Sequence, residues 1–131
     1  MRLGTDIIEI ERIKDGMERQ DQFYQKVLAP GEIALFETMP PTRAYEFLAG
    51  RFSAKEAYAK AIGSGIGRLK FTDIEILPDQ TGVPTIVAGP VIEGAVVSIS
   101  HCRSYATATV IIDLPEVVIK HQLNAFFNDE Q

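Results

Sequence analysis

The stretch FLAGRFSAKEAYAKAIGSGIG, Phe47–Gly67, decides how the chain is to be read. Its apolar residues recur at helical spacing, and Gly63, Gly65 and Gly67 stop the pattern, with Gly63 suited to a left-handed C-cap. One side of the expected helix is core. The other collects Arg51, Lys55, Glu56 and Lys60. Phe52, Glu56 and Lys60 stand four residues apart and form one row, and Arg51 and Lys55 form the next. Three cations around one carboxylate admit two readings. The first is a solvated face with a Glu-to-Lys pair worth about 0.2–0.5 kcal/mol. The second is a polyphosphate site in which Glu56 holds a divalent metal, since Mg²⁺ favours carboxylate, phosphate and water oxygens.

Working outward, Thr42 is the expected N-cap of this helix, and Pro40-Pro41 closes a shorter one that opens at Pro30 and runs through Met39. Residues 11–28 read as a further helix, with Ile10, Ile13, Met17, Tyr24, Val27 and Leu28 as its buried stripe and Gly16 as a weak point. Arg12, Arg19 and Lys26 recur every seven residues and would form one row, drifting about 20° at each step. LGTDIIEI (3–10) reads as a strand. Beyond the glycines the period becomes two. FTDIEIL (71–77) and PTIVA (84–88) are expected to pair across the turn 79–82. AVVSIS (95–100) and YATATVIID (105–113) are expected to form a hairpin. A strand, then helices, then antiparallel strands is an α+β order, with helices packed on a mostly antiparallel sheet. Residues 1–113 make one domain. The extension 114–131 reads either as a docked short helix using Val118, Leu123, Phe126 and Phe127, or as a loose end.

Composition narrows the class. In 131 residues, 46% are apolar and 24% charged, which fits an ordinary soluble domain with its own core. No run of 18 apolar residues appears, so no membrane span is expected. The acidic N-terminal stretch MRLGTDIIEIERIK has no apolar h-region, and a lone Cys102 forms no internal disulfide. Both fit a cytoplasmic location. A net charge of −5 speaks against general nucleic-acid binding.

Few other residues suggest chemistry. Asp6, after Gly4-Thr5, is either a turn aspartate or the second carboxylate that a metal site needs. The loop Gly63–Gly67 follows a helix and lacks Gly-Lys-Ser/Thr, so it is no P-loop; a helix stop is the simpler role, and approach to a phosphate through backbone N–H groups the other. His101 ends a strand, where structural and functional roles both occur. Ser98–His101 contains no nucleophile elbow, and no Cys/His cluster points to zinc.

Taken together, Gly4–Ile10, Arg51–Ala61, Gly63–Gly67, and Ser98–His101 followed by Tyr105-Ala106 resemble the small bacterial type of 4′-phosphopantetheinyl transferases, the holo-acyl-carrier-protein synthases. The resemblance runs in order through residues 2–113 and implies that family's fold and reaction. The 4′-phosphopantetheine arm of coenzyme A would pass to a serine of apo acyl-carrier protein, releasing adenosine 3′,5′-bisphosphate, in fatty acid biosynthesis. It assigns the metal ligands to Asp6 and Glu56, with Mg²⁺ as cofactor and Mn²⁺ as an alternative. Lys60 would lie at the scissile phosphate, and His101 would face the coenzyme from a neighbouring subunit. Arg43, Arg51, Lys55 and Gly63 are the remaining candidates for coenzyme contacts. The general base is Glu56 or a metal-bound water. A homotrimer with interfacial sites is implied, as is carrier-protein docking on the Arg12/Arg19/Lys26 helix. Residues 9–26 hold four cations against five acids, however, so that face is not plainly basic, and apolar contacts from Met17 and Phe23 would carry more of the docking. Two rival readings use the same residues: a metal-dependent hydrolase of a nucleotide pyrophosphate, and a non-catalytic anion-binding module.

Overall fold

Helix α4, Pro41–Ile62, is the axis of the molecule, and 14 of its 22 residues are buried. A helix enclosed on most sides uses small residues where other elements come close, and Ala49, Ala54, Ala57, Ala59 and Ala61 are each 0% exposed. The structure is a computed structural model and describes residues 1–129; the last two residues of the 114–131 extension lie outside the described residues.

Along the chain, β1 is Arg2–Glu9, α1 Ile10–Arg19, α2 Phe23–Val27 and α3 Pro30–Phe36. After α4 come a 3₁₀ turn at Phe71–Asp73, β2 Glu75–Pro78, β3 Pro84–Ala88, β4 Ala95–His101, β5 Tyr105–Ile112 and α5 Glu116–Asp129. The main sheet has the antiparallel order β1-β5-β4, and β2 pairs with β3 in a separate antiparallel ribbon. Ala106, Ala108, Val110 and Ile112 alternate along β5 as its buried face. Helices on a mostly antiparallel sheet is thus the observed architecture.

Gly4 brings β1 onto α4. A Cβ there would lie 1.9 Å from the carbonyl oxygen of Ala57, so only a glycine lets the strand backbone rest directly on the helix. The opposite face of the sheet is open, with Leu3 64%, Ile7 65%, Val96 61% and Tyr105 45% exposed.

Four expected boundaries differ from those observed, the first being that the short helix from Pro30 ends at Phe36 and not at Met39, where the N–H groups of Thr38 and Met39 turn back to the carbonyls of Leu35 and Phe36. The helix expected over 11–28 is two helices, broken at residues 20–22, because the chain folds back to set the Phe23 ring over Gly16. Lys26 therefore lies on α2, where it donates to Gln20 Oε1 at 3.0 Å, and the row Arg12–Arg19–Lys26 is not one helix face. Helix α4 starts at Pro41 with Pro40 as its N-cap, two residues before the expected cap Thr42, since the fixed φ of proline suits the first helical position. Residues 71–73 are a 3₁₀ turn instead of the start of a strand; Asp73 accepts from the Lys70 N–H at 2.8 Å, a local bond that competes with extended pairing. The extension forms α5, which docks through Ile119 (0% exposed) and Phe127 (7%) into the core that contains Tyr58 and Ile112.

Candidate active site

Arg51, Lys55, Glu56 and Lys60 of α4 go to two different places. Lys55 is fully buried and turns toward α3, where Nζ donates to Glu32 Oε1 at 2.5 Å and to the Val27 carbonyl at 2.7 Å. Arg51 follows it: Nε donates to the Ile76 carbonyl at 2.9 Å and lies 3.8 Å from Glu32 Oε2. Glu32 is itself 0% exposed and accepts from the N–H groups of Ala29 and Ile76, each at 2.8 Å. Burial pushes the Lys55 ammonium and the Arg51 guanidinium below their ordinary values, and the Glu32 charge opposes this in both. Lys55 is thus part of a buried ion network between α3, α4 and β2 and is closed to a phosphate, contrary to the expectation from the sequence. Glu32 was not anticipated, although Pro30-Gly31-Glu32 carries a signal for it: glutamate in the first turn bonding back to the N-cap N–H.

Glu56 and Lys60 face β1. Lys60 Nζ donates to Asp6 Oδ1 at 3.2 Å and to the Thr5 carbonyl at 3.0 Å. The Glu56 carboxyl is held above its usual range, first by burial and then by the Asp6 charge, with Lys60 opposing. Asp6 and Glu56, far apart in sequence, are therefore electrostatic neighbours across the β1–α4 seam that Gly4 closes. Two carboxylates repelling each other beside one lysine are a donor set that suits a hard divalent cation with phosphate and water as its other ligands. Among the described residues no group of three or more His, Cys, Asp or Glu could hold a metal, so protein side chains would not fill the coordination sphere.

A second feature lies toward the start of α4. Arg43, Arg51 and His101 line one cavity of about 270 Å³ together with Glu46, Phe47 and Ile99. Glu46 sits between Arg43 and His101, 3.8 Å from Arg43 Nη1 and 3.7 Å from His101 Nδ1. Neither Asp6 nor Glu56 lines this cavity. The structure thus brings Asp6, Glu56 and Lys60 together in one place, and Arg43, Arg51 and His101 in another. Gly63 joins neither set. It is the left-handed C-cap (φ 84°), and its N–H is spent on the carbonyls of Ala59 and Lys60. The N–H groups of Ser64 and Gly65 also return to Ala59, and that of Gly67 goes to Leu69, so this loop offers no free amide cradle at Gly63.

Among the described residues no helix is long and apolar enough to cross a membrane. A helix laid along an antiparallel sheet, with two acids and a lysine in the seam, is an arrangement whose chemistry suits a divalent cation and a phosphate group. The model of the 4′-phosphopantetheinyl transferase superfamily matches residues 2–110, and the chain belongs to that superfamily. A holo-[acyl-carrier-protein] synthase of Geobacillus kaustophilus is 54% identical over 112 residues, spanning 85% of this chain and 87% of that protein. One from Streptococcus pyogenes is 47% identical over 110 residues, 84% of this chain and 93% of that protein. Among solved structures, a holo-(acyl-carrier-protein) synthase of Bacillus anthracis in complex with coenzyme A (3′,5′-ADP) superposes with a TM-score of 0.76 at 39% identity, covering 85% of this chain and 94% of that one. The Helicobacter pylori holo-[acyl-carrier-protein] synthase in complex with coenzyme A gives 0.72 at 31% identity, covering 85% and 99%.

Proposed function

We propose that this chain transfers the 4′-phosphopantetheine group of coenzyme A to a serine of an apo acyl-carrier protein, in service of fatty acid biosynthesis. The observation that carries this reading is the seam between β1 and α4, where Lys60 is bonded across to Asp6 and the Asp6 charge reaches the Glu56 carboxyl. Asp6 and Glu56 would hold Mg²⁺, or Mn²⁺ in its place. The metal would supply charge neutralisation on the pyrophosphate and polarise the phosphorus under attack. The serine oxygen forms a bond to the phosphorus that carries pantetheine, and the bond from that phosphorus to the bridging oxygen breaks. Adenosine 3′,5′-bisphosphate leaves with that bond's electron pair. Lys60, whose Nζ is held at the seam by Thr5 and Asp6, stabilises the charge that gathers on the leaving phosphate. Glu56 takes the serine proton through a water. The cavity of Arg43, Arg51 and His101 takes another phosphate of the coenzyme.

That cavity is separate from the carboxylates within one chain, which supports a homotrimer in which His101 serves a neighbouring subunit's site. The open sheet face with Leu3, Ile7 and Val96 offers an apolar surface for such contacts. The carrier protein docks on α1 and α2, where Arg12 and Arg19 flank a cavity of about 290 Å³ that reaches Phe23 and Phe52. The deciding experiment is the intact mass of apo acyl-carrier protein after incubation with this chain, coenzyme A and Mg²⁺. A gain of one phosphopantetheine arm, abolished by a chelator, supports the transfer. Coenzyme A consumed with no gain in mass would favour a hydrolase, and coenzyme A intact with no gain a binding module.

A further inference from the structure

Helix α5 lies beyond the part of the chain that the family model matches, which ends at residue 110. It is firmly docked. Ile119 and Phe127 are buried, and the Arg68 guanidinium sits 4.2 Å over the Phe127 ring. Its first residue, Glu116, reaches the candidate site through one intermediary. Arg2 Nε and Nη2 donate to the two carboxylate oxygens of Glu116 at 3.0 and 2.5 Å, a bidentate geometry that fixes both partners. Nη1 of the same guanidinium donates to the carbonyl of Ala61 at 3.4 Å, in the last turn of α4. The guanidinium also fills the space beside Gly63, where a Cβ would stand 2.6 Å from Nη1.

Residues Arg2, Gly4, Asp6 and Ile8 alternate onto one face of β1. Along that face Arg2 meets Ala61, Gly4 meets Ala57 and Asp6 meets Lys60. Gly4 has no side chain to resist sliding along the helix. The two polar contacts on either side of it, with the ladder to β5, hold β1 along α4, and one of them, Arg2, is held from behind by Glu116.

We propose that Glu116 is a positioning residue: by holding Arg2 against the carboxyl end of α4 it keeps β1 and α4 in the alignment that sets Asp6 beside Glu56 and Lys60. This rests on the transferase reading of those three residues. Exposed ion pairs contribute little to stability in general, so the role is geometric, and it is read at the metal site and not in the melting temperature.

The test measures Mn²⁺ binding by electron paramagnetic resonance, using the full chain with coenzyme A present and carrier protein absent, so that no turnover occurs. Four chains are compared: wild type, Glu116→Gln, Phe127→Ala and Asp6→Asn. Glu116→Gln is expected to weaken Mn²⁺ binding about tenfold, within the range by which a residue acting through a chain of contacts changes affinity at a distance. Phe127→Ala loosens the far end of α5; it is expected to lower the melting temperature and leave Mn²⁺ binding within about twofold of wild type. Asp6→Asn is expected to abolish binding. The proposal is overturned if Glu116→Gln binds within about twofold of wild type while Asp6→Asn does not bind. Equal weakening in Glu116→Gln and Phe127→Ala also overturns it, since α5 would then act only as general support. Unchanged binding in Asp6→Asn would overturn the site reading itself, and the role of Glu116 with it.

Discussion

Replacing Lys55 by methionine separates a structural lysine from a substrate-binding one. The side chain is 0% exposed, and its ammonium is shared between Glu32 and the Val27 carbonyl. Removing one member of a buried pair leaves the other charge behind, at a cost of about 3–5 kcal/mol. Glu32 keeps two backbone N–H donors and has Arg51 3.8 Å away, which places the cost at the lower end, about 3 kcal/mol. For 131 residues, an unfolding entropy of about 2.1 cal/mol/K per residue is roughly 0.28 kcal/mol/K, so the melting temperature should fall by about 11 °C. The assay is thermal unfolding followed by circular dichroism, paired with the KM for coenzyme A well below the variant's midpoint, where KM should stay within about twofold of wild type. In a Glu32→Gln background the same substitution should cost clearly less, because the charge that Lys55 neutralises is already gone. A fall of less than about 2 °C together with a raised KM would refute the reasoning and return Lys55 to the coenzyme site.

Three further outcomes are expected. Glu56→Gln should lower transfer by about a hundredfold or more, since a neutral amide holds Mg²⁺ poorly, yet it should raise the melting temperature of the metal-free chain at neutral pH. Burial and Asp6 raise the folded-state value of Glu56 above the unfolded one. The ionised group therefore opposes folding above that window and ceases to do so as pH falls through it. The gain from Glu56→Gln, measured by thermal melts across pH, should accordingly shrink on acidification. Gly4→Ala puts a methyl 1.9 Å from the Ala57 oxygen and should cost about 3 kcal/mol or prevent folding, read from soluble yield and urea unfolding. Ile7→Glu on the open sheet face should yield a monomer by analytical ultracentrifugation and lose transfer, with the far-ultraviolet spectrum retained.

The period of the residues made the fold class legible. The alternation along 105–112 and the glycine stop after Ile62 need no tertiary information, and both elements stand where the pattern puts them. The break at residues 20–22 was hidden because the helical period continues through it; the chain turns there for a contact between Phe23 and Gly16 that only the folded state contains. The site was half legible. Side-chain spacing turns Glu56 and Lys60 about 140° round the axis from Arg51 and Lys55, which share one side of the helix. It does not say that α3 packs against that side and draws Arg51 and Lys55 into a low-dielectric pocket around Glu32. Asp6 could be named as a carboxylate from its turn chemistry. Its nearness to Glu56 depends on Gly4 admitting β1 to the surface of α4, a distance relation that no local pattern encodes.

The place of β1 in the sheet also governs when the protein becomes competent during synthesis. Its ladder partner is β5, with Arg2 opposite Ile112 and Glu9 opposite Tyr105. A nascent chain carrying Asp6, Glu56 and Lys60 already holds all three site residues, but its first strand has no sheet to join. Such distant pairing slows folding and leaves an apolar, unpaired strand exposed meanwhile. Assembly of the seam therefore waits on the ribosome reaching the last strand, and a messenger truncated shortly before it would yield the full set of site residues without an enzyme.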